Sequence, residues 1–188
     1  ANVIPNHRTL VRNVHKIMPE TCLEIDVRER TSRVRPFSRI QWMTRFDNGD
    51  RNLLNAVDTS MTKHVSLISP APLGATLSSG YDTNYLLHRL RKETEEPLTA
   101  FSVGGKKVNE IGAASNILKE YDDVSHVTST LEPSIIEKLP DIIWRLEGYE
   151  FQSGIFLQYE LGRLVSEAGF KSLIVGEGAD QFLNWTFY

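Results

Sequence analysis

The 188-residue sequence has one cysteine, a near balance of charge, and no apolar run approaching the roughly 20 residues that a membrane-spanning helix needs. The lone Cys22 has no internal partner for a disulfide, which fits a reducing compartment, so a cytoplasmic location is expected. Residues Ala1 to Leu10 lack the charged start and continuous apolar stretch of a secretory signal. The formal net charge is -3, and the one local basic excess (Arg28, Arg30, Arg33, Arg35, Arg39) is interrupted by Glu29 and apolar residues. No nucleic-acid partner and no membrane are therefore expected. His7, His15, His64 and His88 have no ligand spacing to one another, and Trp42, Trp144 and Trp185 read as packing residues. Internal repeats and low-complexity stretches are also lacking. The start at Ala1 rather than Met reads as processing or a fragment.

With 40% hydrophobic and 24% charged residues, the chain is long enough for one sizeable core. Up to about Asp58 it is irregular, with a candidate strand at Cys22 to Val27 and turn material at Asp47 to Asp50. Leu54, Val57, Met61 and Val65 recur at helical spacing, predicting a helix from Leu53 to about His64. Regular alternation begins after Pro72. Leu73 to Leu77 reads as a buried strand, Ser78 to Thr83 as a polar turn and Asn84 to Glu95 as a helix stopped by Pro97. Strands are then predicted at Leu98 to Val103, Val124 to Thr128 and Lys171 to Val175. Helices are predicted at Asn109 to Lys119, Pro133 to Leu146 and Gly154 to Ala168. Such alternation implies an α/β fold, a parallel sheet with helices on both faces, whose ligands sit at the carboxyl ends of the strands. The expected organisation is a lead-in segment and helix over 1–66 and the α/β domain over 67–188.

Two polar turns lie at such strand ends. Ser78, Ser79, Gly80, Tyr81, Asp82 and Thr83 follow a strand and open a helix, which aims backbone N–H groups and the positive helix terminus at an anion. Gly80 permits close backbone approach, and the hydroxyls of Ser78, Ser79 and Thr83 add donors. Asp82 alone would repel a phosphate, which suggests a divalent cation between them. The turn is not the nucleotide loop ending in Gly-Lys-Ser/Thr, because no Lys follows. It resembles the Ser-Gly-Gly-x-Asp-Ser loop of ATP pyrophosphatases, with Ser79 in place of the first Gly and Thr83 in place of the second Ser. Taken alone, the same residues also suit an ordinary capped helix start.

The second turn, Gly176, Glu177, Gly178, Ala179 and Asp180, sets two acidic residues among small ones directly after an apolar strand, where they are poor packing material. Together the two loops resemble those of the asparagine synthetase family, whose second signature reads Gly-Glu-Gly-Ala/Ser-Asp-Glu. The likeness extends to Thr99 to Gly104, to Glu110, Ala113 and Ala114, to His126, and to Val14 to Asp26.

The resemblance implies a Rossmann-like ATP pyrophosphatase (adenine nucleotide alpha-hydrolase-like) fold. It implies that Leu77, Val103, Val175 and Gly176 line the adenine and ribose pocket, and that Ser78, Ser79, Gly80, Asp82 and Thr83 hold the pyrophosphate of ATP. Asp82 and Asp180 would bind Mg2+, and Glu177, with Asp180, would serve catalysis beside the reacting carboxylate or amine. The implied reaction is adenylation of a carboxylate such as aspartate, then attack by ammonia or an amine to give an amide.

The sequence departs from the family in three places. The glutaminase half uses an N-terminal cysteine, whereas residue one is Ala, so nitrogen is expected from a separate glutaminase, another chain or free solution. The family's downstream catalytic Lys lies beyond Tyr188, which reads as a C-terminally incomplete domain or one completed by a further chain. Gln181 stands for the family's Glu. Alternatives are a degenerate nucleotide-binding module without turnover, and a relative using another acid and amine, such as a peptide or beta-lactam cyclase.

Overall fold

The computed structural model describes residues 7–9, 11–37, 49–68, 72–105, 110–146 and 154–177. The chain divides into two units, Ala1–Gly49 and Asp50–Tyr188.

The first unit carries an antiparallel hairpin, β1 (Thr21–Asp26) and β2 (Thr31–Pro36). Its turn is closed by the Asp26 carboxylate, which accepts the backbone N–H groups of Arg28 and Glu29 at 2.9 Å each. Glu24 receives both Arg33 and Arg35 across the strands, and the Arg35 contact leads in holding its carboxyl below the usual range.

Helix α1 (Gly49–Ile68), all but its first residue in the second unit, is longer at both ends than the predicted Leu53 to His64. Val57, Met61, Val65 and Ile68 form its core-facing stripe, whereas Leu54 is exposed. The alternation then follows as β3 (Leu73–Thr76), α2 (Tyr81–Glu93), β4 (Leu98–Gly105), α3 (Glu110–Leu118) and β5 (Val124–Leu131). The segment predicted as one helix from Pro133 is a 3₁₀ turn, Pro133–Lys138, followed by α4 (Leu139–Leu146). Pro140 explains the division: it has no N–H to donate, and the first turn of a helix is where none is needed. Last comes α5 (Ile155–Glu167).

The sheet is parallel, in the order β3-β4-β5. Lys171 to Val175 does not form the full strand expected. It makes one parallel bridge, Ala75 with Ile174, with Ile174 N–H donating to Gly74 O at 2.8 Å and Thr76 N–H to Ile174 O at 3.0 Å. β3 is thus flanked by β4 on one side and by the returning chain on the other, which is the reversal of strand order that opens a crevice in such sheets.

Side-chain alternation along β4 separates two apolar layers. Leu98 and Ala100 pack with Leu73, Ala75, Met61, Leu87, Leu90, Ala114 and Leu118, so α1, α2 and α3 share one face. Phe101 packs with Leu164 and Val165 of α5 on the other, where it meets Phe170 edge to face at 5.1 Å. Gly74 makes that pair possible, because an added Cβ would stand 3.0 Å from Phe101 and 3.1 Å from Phe170. Among the described residues no helix is long and apolar enough to cross a membrane.

Candidate functional site

A cleft of about 590 Å3, within the range of about 300–1,000 Å3 usual for small-molecule sites, opens at the strand-order reversal. Three segments of the second unit line it. The end of β3 and the start of α2 contribute Thr76, Ser78, Gly80, Asp82 and Thr83. The returning chain contributes Lys171, Ser172, Leu173, Val175, Gly176 and Glu177, and α5 contributes Gln158, Leu161, Gly162 and Val165.

The two polar turns meet. A Cβ added to Gly176 would lie 3.3 Å from Asp82 Cβ and 3.6 Å from Thr83 Cγ2, so the second loop runs tightly against the first turn of α2 and a side chain there would push its neighbours back by a few tenths of an ångström. Asp180, with Gly178 and Ala179, lies outside the described residues, as do Asn109 and the stretch Glu147 to Phe151.

Helix α2 starts at Tyr81, three residues earlier than the sequence predicts, and this changes which donors face an anion. Ser78 N–H donates to Thr83 Oγ1 at 3.1 Å, Gly80 N–H to Ser78 Oγ at 3.1 Å, and Ser79 N–H to Glu110 Oε2 at 2.8 Å. All three loop N–H groups are therefore already satisfied. Those of Tyr81, Asp82 and Thr83, in the first helical turn, have no acceptor among the described residues. An anion in the cleft would meet these N–H groups and the positive end of a 13-residue helix. The Ser78 and Thr83 hydroxyls are 3.0 Å apart, and Asn84 Nδ2 donates to Gly80 O at 2.6 Å and to Ser78 O at 3.2 Å.

The remaining sequence-derived residues fall as follows. Leu77 is buried among the side chains of β3, β4 and α1 to α3, and Val103 packs beside Phe101 on the α5 face, so neither of these two expected pocket residues is among those lining the cleft. Ser79 is exposed and is not among the residues lining the cleft. The carboxylates of Asp82 and Glu177 both line it and have no hydrogen-bond or ion-pair partner among the described residues. Of the two, Asp82 at the helix start suits Mg2+, which takes one or two carboxylates together with phosphate oxygens and water. No cluster of three or more His, Cys, Asp or Glu that could hold a metal by itself occurs among the described residues.

Several residues escape sequence reasoning. The α5 wall was legible as a helix, but its face toward the cleft is set by the returning chain. Beneath the first loop, the buried Ser102 hydroxyl donates to Leu77 O at 2.7 Å, and His126 Nε2 stands 2.8 Å from Ser102 Oγ. The serine has one proton and gives it to Leu77, so the network assigns the Nε2 proton to His126, which donates it to Ser102. Burial pushes the His126 pKa down. A second cavity, about 620 Å3 between α4 and α5, shares Gln158 and Gly162 with the cleft. Its arginines are tied to carboxylates, Arg145 to Asp141 and Arg163 to Glu160 and Glu167.

Among solved structures, the chain is similar to an NMN synthetase from Francisella tularensis, with TM-score 0.49, 15% identity, and coverage of 70% of this chain and 58% of that one. It is also similar to an NH3-dependent NAD synthetase from Campylobacter jejuni, with TM-score 0.47, 12% identity, and coverage of 72% and 60%. Among curated proteins, a probable glutamine-hydrolyzing asparagine synthetase from Dictyostelium discoideum is 24% identical over 137 residues, 65% of this chain and 25% of that protein. The glutamine-hydrolyzing asparagine synthetase B of Escherichia coli is 26% identical over 155 residues, 74% of this chain and 28% of that protein. The chain thus spans about a quarter of the length of these curated relatives. The sequence signature of asparagine synthase matches residues 52–184, which holds both loops, the sheet and every helix from α2 to α5, and the chain belongs to the asparagine synthase family.

Proposed function

We propose that the second unit is the ATP-binding half of a carbon–nitrogen ligase, which adenylates a small carboxylic acid and passes the acyl group to ammonia or an amine. The observation that carries this reading is the apposition of Gly176 and Asp82, which brings the two family loops into one cleft at the strand-order reversal.

The first-turn N–H groups of Tyr81, Asp82 and Thr83 hold the β and γ phosphates, and the Ser78 and Thr83 hydroxyls add donors at the same end. Val175 and Gly176 form the wall against which the nucleoside lies. Asp82 and Asp180 would hold Mg2+, which when bound neutralises charge on the departing pyrophosphate. An oxygen of the acid attacks the alpha phosphorus and the bond to pyrophosphate breaks, giving an acyl-adenylate. The nitrogen lone pair then attacks the acyl carbon, the bond to AMP breaks, and Glu177 accepts the proton shed by nitrogen. Aspartate and ammonia are the first acid and amine to try, since the curated relatives carry the name asparagine synthetase.

The test is pyrophosphate release by the purified chain with ATP, Mg2+, aspartate and ammonium, beside Asp82→Asn and Asp180→Ala. Release that needs aspartate and falls at least about 100-fold in both variants supports adenylation. Binding of MgATP without release would replace this reading with a nucleotide-binding module. Absence of MgATP binding would end it.

A further inference from the structure

We infer that Glu110 is a positioning residue for the phosphate-facing loop, its carboxylate fixing the Ser78–Ser79 peptide from behind so that Ser78 and Gly80 face the cleft. This rests on the nucleotide-binding reading above and concerns the same loop.

Glu110 stands in the first turn of α3, where a carboxylate ordinarily serves its own helix dipole. Here the side chain instead reaches another element and takes the Ser79 N–H at 2.8 Å. The opposite end of the same peptide unit is also held, because Ser78 O accepts Asn84 Nδ2 at 3.2 Å. A peptide group is planar, so anchoring its N–H and its carbonyl on different elements fixes its orientation. The direction of the anchor matters. Ser78 and Gly80 line the cleft, while neither Ser79 nor Glu110 is among the residues lining it. Glu110 therefore does not compete with a phosphate for the loop; it turns the one outward-facing N–H away from the site. The backbone hydrogen bond from Ser79 is also the largest cause holding the Glu110 carboxyl below its usual range. Without Glu110, the Ser78–Ser79 peptide keeps only the anchor on its carbonyl and can tilt about it, and the Ser78 hydroxyl that caps Gly80 N–H moves with it.

Reach and charge separate in two variants. Glu110→Asp keeps the charge and the preference for a helix start but is one methylene short, whereas Glu110→Gln keeps the length and an acceptor oxygen. Calorimetric titration with MgATP and with adenosine should show Glu110→Asp losing about tenfold in MgATP affinity with adenosine affinity unchanged. Glu110→Gln should stay within about threefold of the parent for both ligands. Exchange of the Ser79 amide proton, followed by NMR, supplies a readout in the unaltered chain: it should be slow there and in Glu110→Gln, and fast in Glu110→Asp. The inference is overturned by a rapidly exchanging Ser79 amide in the unaltered chain, by wild-type MgATP affinity in Glu110→Asp, or by parallel loss of adenosine. Failure of the unaltered chain to bind MgATP removes the nucleotide reading itself and this inference with it.

Discussion

Gly176 lies against Asp82 so closely that a methyl group added to it would stand 3.3 Å from the Asp82 Cβ, with Leu86 Cδ1 at 3.5 Å. The nearest atom belongs to the first turn of a helix rather than to the far end of a flexible side chain, so relief requires the backbone to move by a few tenths of an ångström. Gly176→Ala is expected to leave thermal unfolding nearly unchanged while lowering MgATP affinity on the order of tenfold, since small misplacements at a positioning site cost far more in binding than in stability. Calorimetric titration beside a melting curve checks it. Equal affinity with the parent would show that the two loops do not share a ligand.

Thr83 offers a test of the loop's internal order. Its hydroxyl accepts Ser78 N–H at 3.1 Å and pairs with Ser78 Oγ at 3.0 Å, both in a partly buried setting. Thr83→Ser preserves the hydroxyl and should match the parent. Thr83→Val keeps the shape and strands the Ser78 N–H, which should cost about 1–3 kcal/mol in urea denaturation. A Val variant as stable as the Ser variant would mean that water replaces the hydroxyl at no cost.

The sheet was legible because Leu73 to Leu77 and Leu98 to Val103 are short, largely apolar stretches and Val124 to Thr128 alternates Val, His and Val, all divided by helical periodicity, a pattern that local sequence alone sets. The extensions of β4 to Gly105 and β5 to Leu131 were not, because Gly104, Gly105 and Thr130 join the ladder only through pairing with each other's strand. The same distinction applies at the site. Ser78, Gly80, Asp82 and Thr83 announce themselves as an anion-binding turn, yet the count of free donors does not follow from it, since Glu110 comes from a separate element to take the Ser79 N–H. Ser102 reads as a strand serine, and only the neighbouring strands make it the link between His126 and the carbonyl of Leu77.

Gly74 tests the other face of the sheet. Its absent side chain leaves room for Phe101, which is fully buried, and for Phe170 and Leu173, which an added Cβ would approach within 3.0, 3.1 and 3.3 Å, respectively. Gly74→Ala should therefore destabilise the second unit by about 1–3 kcal/mol through overpacking. It should also loosen the bridge at Ile174, whose N–H bonds Gly74 O at 2.8 Å. Denaturant titration gives the first quantity and amide exchange at Ile174 the second. Unchanged stability would require the aromatic pair to repack without loss.

The pH dependence of stability follows from His126. Burial lowers its pKa from the usual 6.5, so the folded chain binds this proton less readily than the unfolded chain. Stability then rises with pH wherever the unfolded state holds more protons. The contribution of neutral His126 is complete above about pH 6.5 and is lost progressively as the pH falls below that value toward the lowered folded pKa. Glu110 and Glu160, also lowered, lose stability only in the more acidic carboxylate range and do not blur this window. His126→Gln retains a donor for Ser102 and cannot titrate. Urea denaturation at pH 7.5 and pH 5.5 should show the parent losing more stability than His126→Gln over that interval. An equal loss in the two proteins would mean that His126 is solvated well enough to take its proton freely.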